Sequence, residues 1–353
     1  MLCSALGPGG TPSLLQALLA GRFFLFAAAL GDWVLVPAAM RRRLWLAYAA
    51  SAAWIALEAW QQYLLGANVF GTPRWEDGAL TGPFTKPRAG AAFALVLFPA
   101  LVPPVMALLG GGWGRRIGAL ALAAGGVATM VLIGQRMPAL LMLLGLIVCA
   151  ALLQRLRPVV AGAVAAGALL LAATPAVSPP TFGKLVLHFS EQIAHFPASP
   201  YGLLYTRATV MAEAHPLLGL GFRGFRNACN EPRYQGGIPA LGIADTRNGG
   251  RQACNLHPHN FYLEAATSAG LPGLALFAAL ALTWLATLGH GLVRDPAPLR
   301  VALFATAFMA LWPLASTSEF FSVPNCGWLF LALGWGFAEA AHCKRETPRP
   351  SPP

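Results

Sequence analysis

Residues 117–157, IGALALAAGGVATMVLIGQRMPALLMLLGLIVCAALLQRLR, decide the fold. They contain two apolar runs, 117–135 and 138–154, joined at Gly134-Gln135-Arg136 and bounded by Arg115-Arg116 before them and by Arg155 with Arg157 after them. Each run approaches the roughly 20 residues that carry an α-helix through a bilayer. A helical hairpin of this kind sets both basic ends on one membrane face and Arg136 on the opposite one. Similar runs recur outward in both directions, at roughly 13–39, 45–66, 90–110, 158–178, 262–289, 300–318 and 325–342. Nine spans result.

Composition agrees. Hydrophobic residues make up 57% of the 353 and charged residues 10%, against about 25% charged in a soluble domain. The formal charge of +11 does not mark a nucleic-acid partner, because the basic residues are scattered through short joints instead of gathered on one polar face. Alternating the nine spans puts Arg41-Arg42-Arg43, Arg115-Arg116, Arg155 with Arg157, Arg294 with Arg300, and Lys344-Arg345 on one side. That side is cytoplasmic. The N-terminus, the joints 67–89 and 134–136, the insert 179–261 and the joint near Ser318-Glu319 are then outside. Met1 to Pro12 has no basic region ahead of its apolar stretch and no small-residue cleavage site, so no cleaved signal peptide is expected.

The reading is therefore an all-α integral membrane protein of about nine transmembrane helices with one large periplasmic loop containing short helices. Its expected divisions are N-terminal membrane helices over 1–80, a membrane domain over 81–342 that carries the loop 179–261, and a cytoplasmic tail over 343–353. No repeat is visible, and the tail after Thr347 is Pro-rich.

Within the insert, Leu203 to His215 has the pattern of an amphipathic helix, ended by Pro216 and the Gly219-Leu220-Gly221 turn. Gly236-Gly237 and Asn248-Gly249-Gly250 mark irregular loop. Cys229 and Cys254 both lie in this outer insert, where an oxidising compartment permits a disulfide; two free thiols are the alternative.

The insert ends at His257-Pro258-His259-Asn260, where the chain re-enters the membrane as Phe261-Tyr262-Leu263-Glu264. Two readings of these histidines stand side by side. One is a helix cap; the other is a general base placed where lipid-borne and water-borne substrates meet. Metal catalysis has little support, since no partner set of Cys, His, Asp or Glu stands at ligand spacing, and no cofactor is expected. Arg136, between two apolar runs, either snorkels to the headgroups or serves an anionic substrate. Arg207, Arg223 and Arg226 around the Pro216 to Gly224 turn are either a solvated basic face or, with Arg136, an anion site suited to diphosphate. Arg22, Asp32 and Glu58 in the early spans are expected to pair with each other.

His259-Asn260, nine residues, then Gly270-Leu271-Pro272-Gly273 is similar to the H-[NSQ]-x9-G-x-x-G pattern of the O-antigen ligase and polymerase superfamily, bacterial membrane enzymes that transfer glycans from undecaprenyl diphosphate. Three stretches in the family's order add to the resemblance: Leu80-Thr81-Gly82-Pro83-Phe84, Gly134-Gln135-Arg136, and His215-Pro216-Leu217-Leu218-Gly219-Leu220-Gly221-Phe222. It covers roughly residues 80–340. The chain departs from the family in its shorter N-terminal part and in having Tyr205 where a Trp is usual.

The resemblance implies an inverting, metal-independent glycosyltransferase in the bacterial inner membrane, with its site facing the periplasm. The donor would be an undecaprenyl-diphosphate-linked glycan and the acceptor lipid A-core or another saccharide. It implies that His259 is the base, with His257 and Asn260 in support, and that Arg136, Arg207 and Arg223 hold the diphosphate. Polymerase and protein O-oligosaccharyltransferase activities share this scaffold. A transporter or flippase for an anionic lipid is the alternative of another class, but the paired halves common in transporters are not visible.

Overall fold

Every apolar run in the sequence coincides with a helix in the computed structural model, which describes residues 6–315, 318–323 and 325–346. In chain order these helices are α1 (Gly10–Ala20), α2 (Arg22–Ala29), α3 (Ala38–Leu65), α4 (Ala89–Leu109), α5 (Trp113–Ile133), α6 (Arg136–Leu152) and α7 (Arg157–Val177). After the insert come α11 (Phe261–Gly289), α12 (Pro298–Ala310) and α13 (Asn325–Glu346). The insert carries the short helices α8 (His188–Ala194), α9 (Pro200–Ala214) and α10 (Gly224–Ala228). Regular structure among the described residues is helical, apart from two isolated bridges. Of the expected tail 343–353, residues 343–346 continue α13 and the remainder lies outside the described residues.

Among the described residues, five stretches are long and apolar enough to cross a membrane: Gly10–Val34, Ala89–Leu109, Trp113–Ile133, Gln154–Val177 and Phe261–Gly289. The protein is thus an all-α chain with membrane-spanning helices. Three expected spans differ in form. The first is interrupted by a π-helical turn at Leu30–Val34. The run 300–318 is helical only as far as Ala310, because Pro313 lacks an N–H and disfavours helical backbone ahead of it. The run 262–289 breaks at Gly270, whose φ of 67° and ψ of −166° are not helical.

The chain divides into two compact units. One comprises residues 1–25, 190–284 and 311–327, and the other 26–189, 285–310 and 328–353. Chain order, on which the expected divisions at 80 and 342 rest, does not follow this grouping.

The second unit is held by an apolar core that includes Tyr48, Ile55, Phe98, Met130, Ile133, Leu303 and Trp335. Its α4 contains Pro99, Pro103 and Pro104. Proline at 103 removes the donor that would have served the carbonyl four residues earlier, and in a bilayer an unpaired carbonyl costs several kcal/mol. Trp45 of α3 supplies the missing donor, its indole Nε1 meeting Pro99 O at 3.0 Å. At the C-terminal end of α3, Gln62 gathers the following loop. Its amide donates to Thr72 O, Pro73 O and Thr81 Oγ1 at 2.8–3.0 Å and accepts from Thr81 N at 2.7 Å. Glu58, expected to pair with Arg22 or Asp32, instead accepts from Val69 N at 3.0 Å.

The basic joints have a local use as well. Arg115 donates to Ala107 O at the end of α4, Arg157 to Ala150 O at the end of α6, Arg300 to His290 O beyond α11, and Arg41 to Leu35 O and Val36 O. Cations at helix C-termini satisfy orphan carbonyls and complement the helix dipole. Arg41 also pairs with Glu339 of α13 at 3.2 Å.

Replacing Trp45 by Phe keeps the ring but strands the Pro99 carbonyl. Thermal unfolding in detergent is expected to show a loss of about 1–3 kcal/mol, whereas Trp33→Phe, at a side chain left 77% exposed, should leave the midpoint unchanged.

Candidate functional site

Asn260 organises the end of the insert. Its Oδ1 accepts from Tyr262 N at 2.9 Å and Leu263 N at 3.0 Å, making it the N-cap of α11. Its Nδ2 donates to Pro313 O at 2.7 Å, and its side chain also bonds to Tyr205 of α9. The cap reading of this motif therefore belongs to Asn260, which leaves the histidines before it for other roles.

His259 stands in left-handed backbone with φ of 56°. Among the described residues, only His259 and Arg223 combine a side chain with positive φ. Such backbone is costly without glycine and persists where its surroundings impose it. The His259 ring packs edge-on to Tyr201 at 5.7 Å and lies 4.2 Å, centroid to centroid, from His257. Asn255 Oδ1 accepts from Leu256 N at 2.7 Å, which turns the Asn255 amide nitrogen towards His259 Nε2 at 3.2 Å. A donor there selects the tautomer with the lone pair on Nε2.

His257 is largely buried and its Nε2 meets no hydrogen-bond partner. Burial pushes its pKa down to about 3, with the charges of His259 and Arg226 acting in the same direction. The ring is neutral at physiological pH.

Cys229 and Cys254 are joined by a disulfide, with Cα atoms 5.4 Å apart, so the end of α10 is tied to the strand of chain that leads to His257. Arg207 lies beneath this loop, only 2% exposed. Its Nε and Nη2 donate to Thr246 Oγ1 at 3.1 and 2.9 Å, Nη2 also to Thr246 O at 2.8 Å, and Nη1 to Cys229 O at 2.9 Å. Burial lowers its pKa. Most of the guanidinium donors that were expected to grip a diphosphate are thus spent on the loop. Thr246, their main partner, carries no signal in the sequence, since it is 39 residues away and resembles any loop threonine.

Gly270 explains the spacing of the motif. The break in α11 leaves the carbonyls of Thr267 and Ser268 free, and they accept from Leu220 N at 2.8 Å and Gly221 N at 3.0 Å; in return Leu271 N donates to Pro216 O at 2.7 Å. A Cβ on Gly270 would strike the Pro216 carbonyl, and one on Gly219 would strike the backbone of Ser268–Gly270. The segments His215–Phe222 and Gly270–Gly273 therefore form one backbone-to-backbone joint. Ser13 of α1 adds to it, accepting from Phe222 N at 2.6 Å.

Residues 118–278 match the O-antigen ligase family model. Over this stretch the chain is similar to the O-antigen ligase family. The matched stretch includes Arg136, the entire insert, His257 to Asn260 and the glycine joint. No curated protein matches the chain.

Arg223 is exposed, at the N-terminal edge of α10. Arg136 belongs to the other compact unit, at the first residue of α6, where its Nη1 donates to His188 O at 3.3 Å.

Two outcomes follow. Gly270→Ala combines left-handed strain of about 1–2 kcal/mol with the Pro216 clash, so the variant should unfold at lower temperature and lose function. His257 binds its proton near pH 3 when folded but near 6.5 when unfolded, so stability falls as pH drops through that window, by at most about 1.4 kcal/mol per pH unit. The unfolding midpoint measured from pH 7 to 4 should decline less steeply in His257→Gln than in the parent chain.

Proposed function

We propose that this protein transfers a glycan from undecaprenyl diphosphate to a saccharide acceptor at the periplasmic face of the bacterial inner membrane, with lipid A-core as the acceptor. The match of residues 118–278 to the O-antigen ligase family carries the reaction class. Within it, His259 is the base. Its support is the tautomer that Asn255 selects, the imposed backbone, and the neutral His257 ring beside it, which adds no positive charge against the proton His259 must accept.

In this reaction the acceptor hydroxyl oxygen attacks the anomeric carbon of the donor sugar, and its proton passes to His259 Nε2 once the hydroxyl has taken the place of the Asn255 amide there. The bond from that carbon to the phosphate oxygen breaks, and the electron pair leaves with undecaprenyl diphosphate. Attack from the opposite side inverts the anomeric centre. No step calls for a metal, because guanidinium groups offset the charge growing on the leaving diphosphate. Arg136 and Arg223 are the proposed diphosphate ligands. Arg207 contributes by holding the loop between Cys229 and Thr246 in place, and its loss should act through that loop.

The test is expression in a strain lacking its O-antigen ligase and in one lacking its polymerase, with the lipopolysaccharide read for attachment and for chain length. Attachment should return in the first and chain length should stay unrestored in the second. Rescue of the polymerase strain instead would move the acceptor to a second lipid-linked glycan, and rescue of neither, with the protein in the membrane, would overturn the reading. His259→Ala should lose at least about a hundredfold of the transfer rate at unchanged unfolding temperature, and chelator should leave the parent rate as it was.

A further inference from the structure

The turn from His215 to Phe222 meets two of the stretches that are long and apolar enough to cross a membrane. Ser13 Oγ, near the start of Gly10–Val34, accepts from Phe222 N at 2.6 Å, and Leu271 N, just past the break in α11, donates to Pro216 O at 2.7 Å. All of these residues belong to one compact unit. Residues 261–269 of α11 include Glu264, Thr267 and Ser268, whereas 271–289 are apolar apart from Thr283 and Thr287. The apolar part measures about 28 Å along its axis, close to the roughly 30 Å of hydrocarbon in a bilayer. The membrane-crossing part of α11 therefore begins at the turn.

Leu271, Ala275, Leu276, Ala279 and Leu282 form an exposed apolar stripe down α11 at helical spacing. At its head the turn adds Leu217, 72% exposed, and Leu218, 38% exposed. The two are contiguous, since a Cβ on Gly270 would come within 2.7 Å of the Leu217 carbonyl carbon. Irregular backbone is excluded from lipid unless the protein itself satisfies its polar groups. This turn meets that condition. Gly219 N donates to His215 O at 3.0 Å, Leu220 N to Thr267 O at 2.8 Å and Gly221 N to Ser268 O at 3.0 Å. Phe222 N is taken by Ser13, and Pro216 has no N–H to satisfy. Residues 216–222 carry no charged side chain.

We propose that this turn is a lipid-inserting element of the insert: Leu217 and Leu218 enter the acyl chains of the leaflet on the insert's side and continue the lipid-facing stripe of α11 past its break. The partner is the hydrocarbon of the bilayer, because the turn offers leucines and paired backbone and no cation for a headgroup phosphate. The joint that fixes the start of α11 thereby also seats the insert on the membrane. This goes beyond the proposed reaction and does not depend on it. Leu241 provides the contrast. It is 70% exposed in the same insert, but stands in the turn closed by the Ile238–Ile243 bridge.

The experiment places a fluorophore on single cysteines of the full chain in lipid nanodiscs. Cys3 and Cys343 are replaced by Ser, while buried Cys149 and Cys326 and the bonded Cys229 and Cys254 are kept. Leu217→Cys, Leu218→Cys, Leu276→Cys and Leu241→Cys are labelled in turn, all at side chains whose exposure should leave the unfolding temperature at the parent's value. Quenching is read with lipids brominated on the acyl chain and with aqueous iodide. Labels at 217 and 218 should behave like the label at 276, quenched by the brominated lipid and at least about threefold less sensitive to iodide than the label at 241. Iodide quenching at 217 and 218 equal to that at 241, with none by the brominated lipid, overturns the proposal. Equal lipid quenching at all four positions also overturns it, because the contact would then belong to the insert as a whole and not to this turn.

Discussion

A backbone polar group inside a bilayer has no water to turn to, and the places where this chain leaves regular helix are governed by that constraint. Where Pro103 removes a donor, Trp45 provides one to Pro99 O. Where α11 breaks at Gly270, the freed carbonyls of Thr267 and Ser268 are taken by Leu220 N and Gly221 N. Where α11 begins, Asn260 satisfies two of its first donors. The break and the cap together fix the start of α11 against the Pro216 to Phe222 turn, and they set the direction in which the histidines leave the helix.

The two histidines owe their difference to burial. His257 is withdrawn from water beside other nitrogen bases and stays neutral; His259 is partly exposed and presents a selected tautomer. Two residues apart in sequence, they are suited to unlike tasks: one shapes the electrostatic setting and the other is the proposed proton acceptor. The disulfide and Arg207 act one layer further out, by tying α10, Thr246 and the approach to His257 into one loop.

The basic residues likewise fall into separate groups. Arg41, Arg115, Arg157 and Arg300 close helix C-termini at the short joints between apolar helices. Arg74 and Arg136 donate to residues of the segment 178–188, and Lys184, within that segment, pairs with Asp77. A single charge count merges these groups, although they meet different partners.

Sequence alone determined the helical, membrane-spanning class, because nearly continuous apolar runs admit no other burial, and it carried the likeness to the O-antigen ligase family, because His259-Asn260 and Gly270-x-x-Gly273 stand at a fixed spacing. It also marked Pro216 and the glycines around it as the end of a helix, since those residues act through local backbone geometry. It did not determine that α12 stops at Ala310, that Glu58 serves Val69, or that Asn260, and not a histidine, is the cap. Nor did it distinguish Arg207, spent on Thr246 and Cys229, from the exposed Arg223, or bring Lys184 to notice. Arg207 meets Thr246 39 residues away and Lys184 meets Asp77 107 residues away. Periodicity and composition record what a residue does to its own stretch of backbone, while the fate of a long polar side chain is decided only when tertiary structure brings its partners within hydrogen-bonding distance.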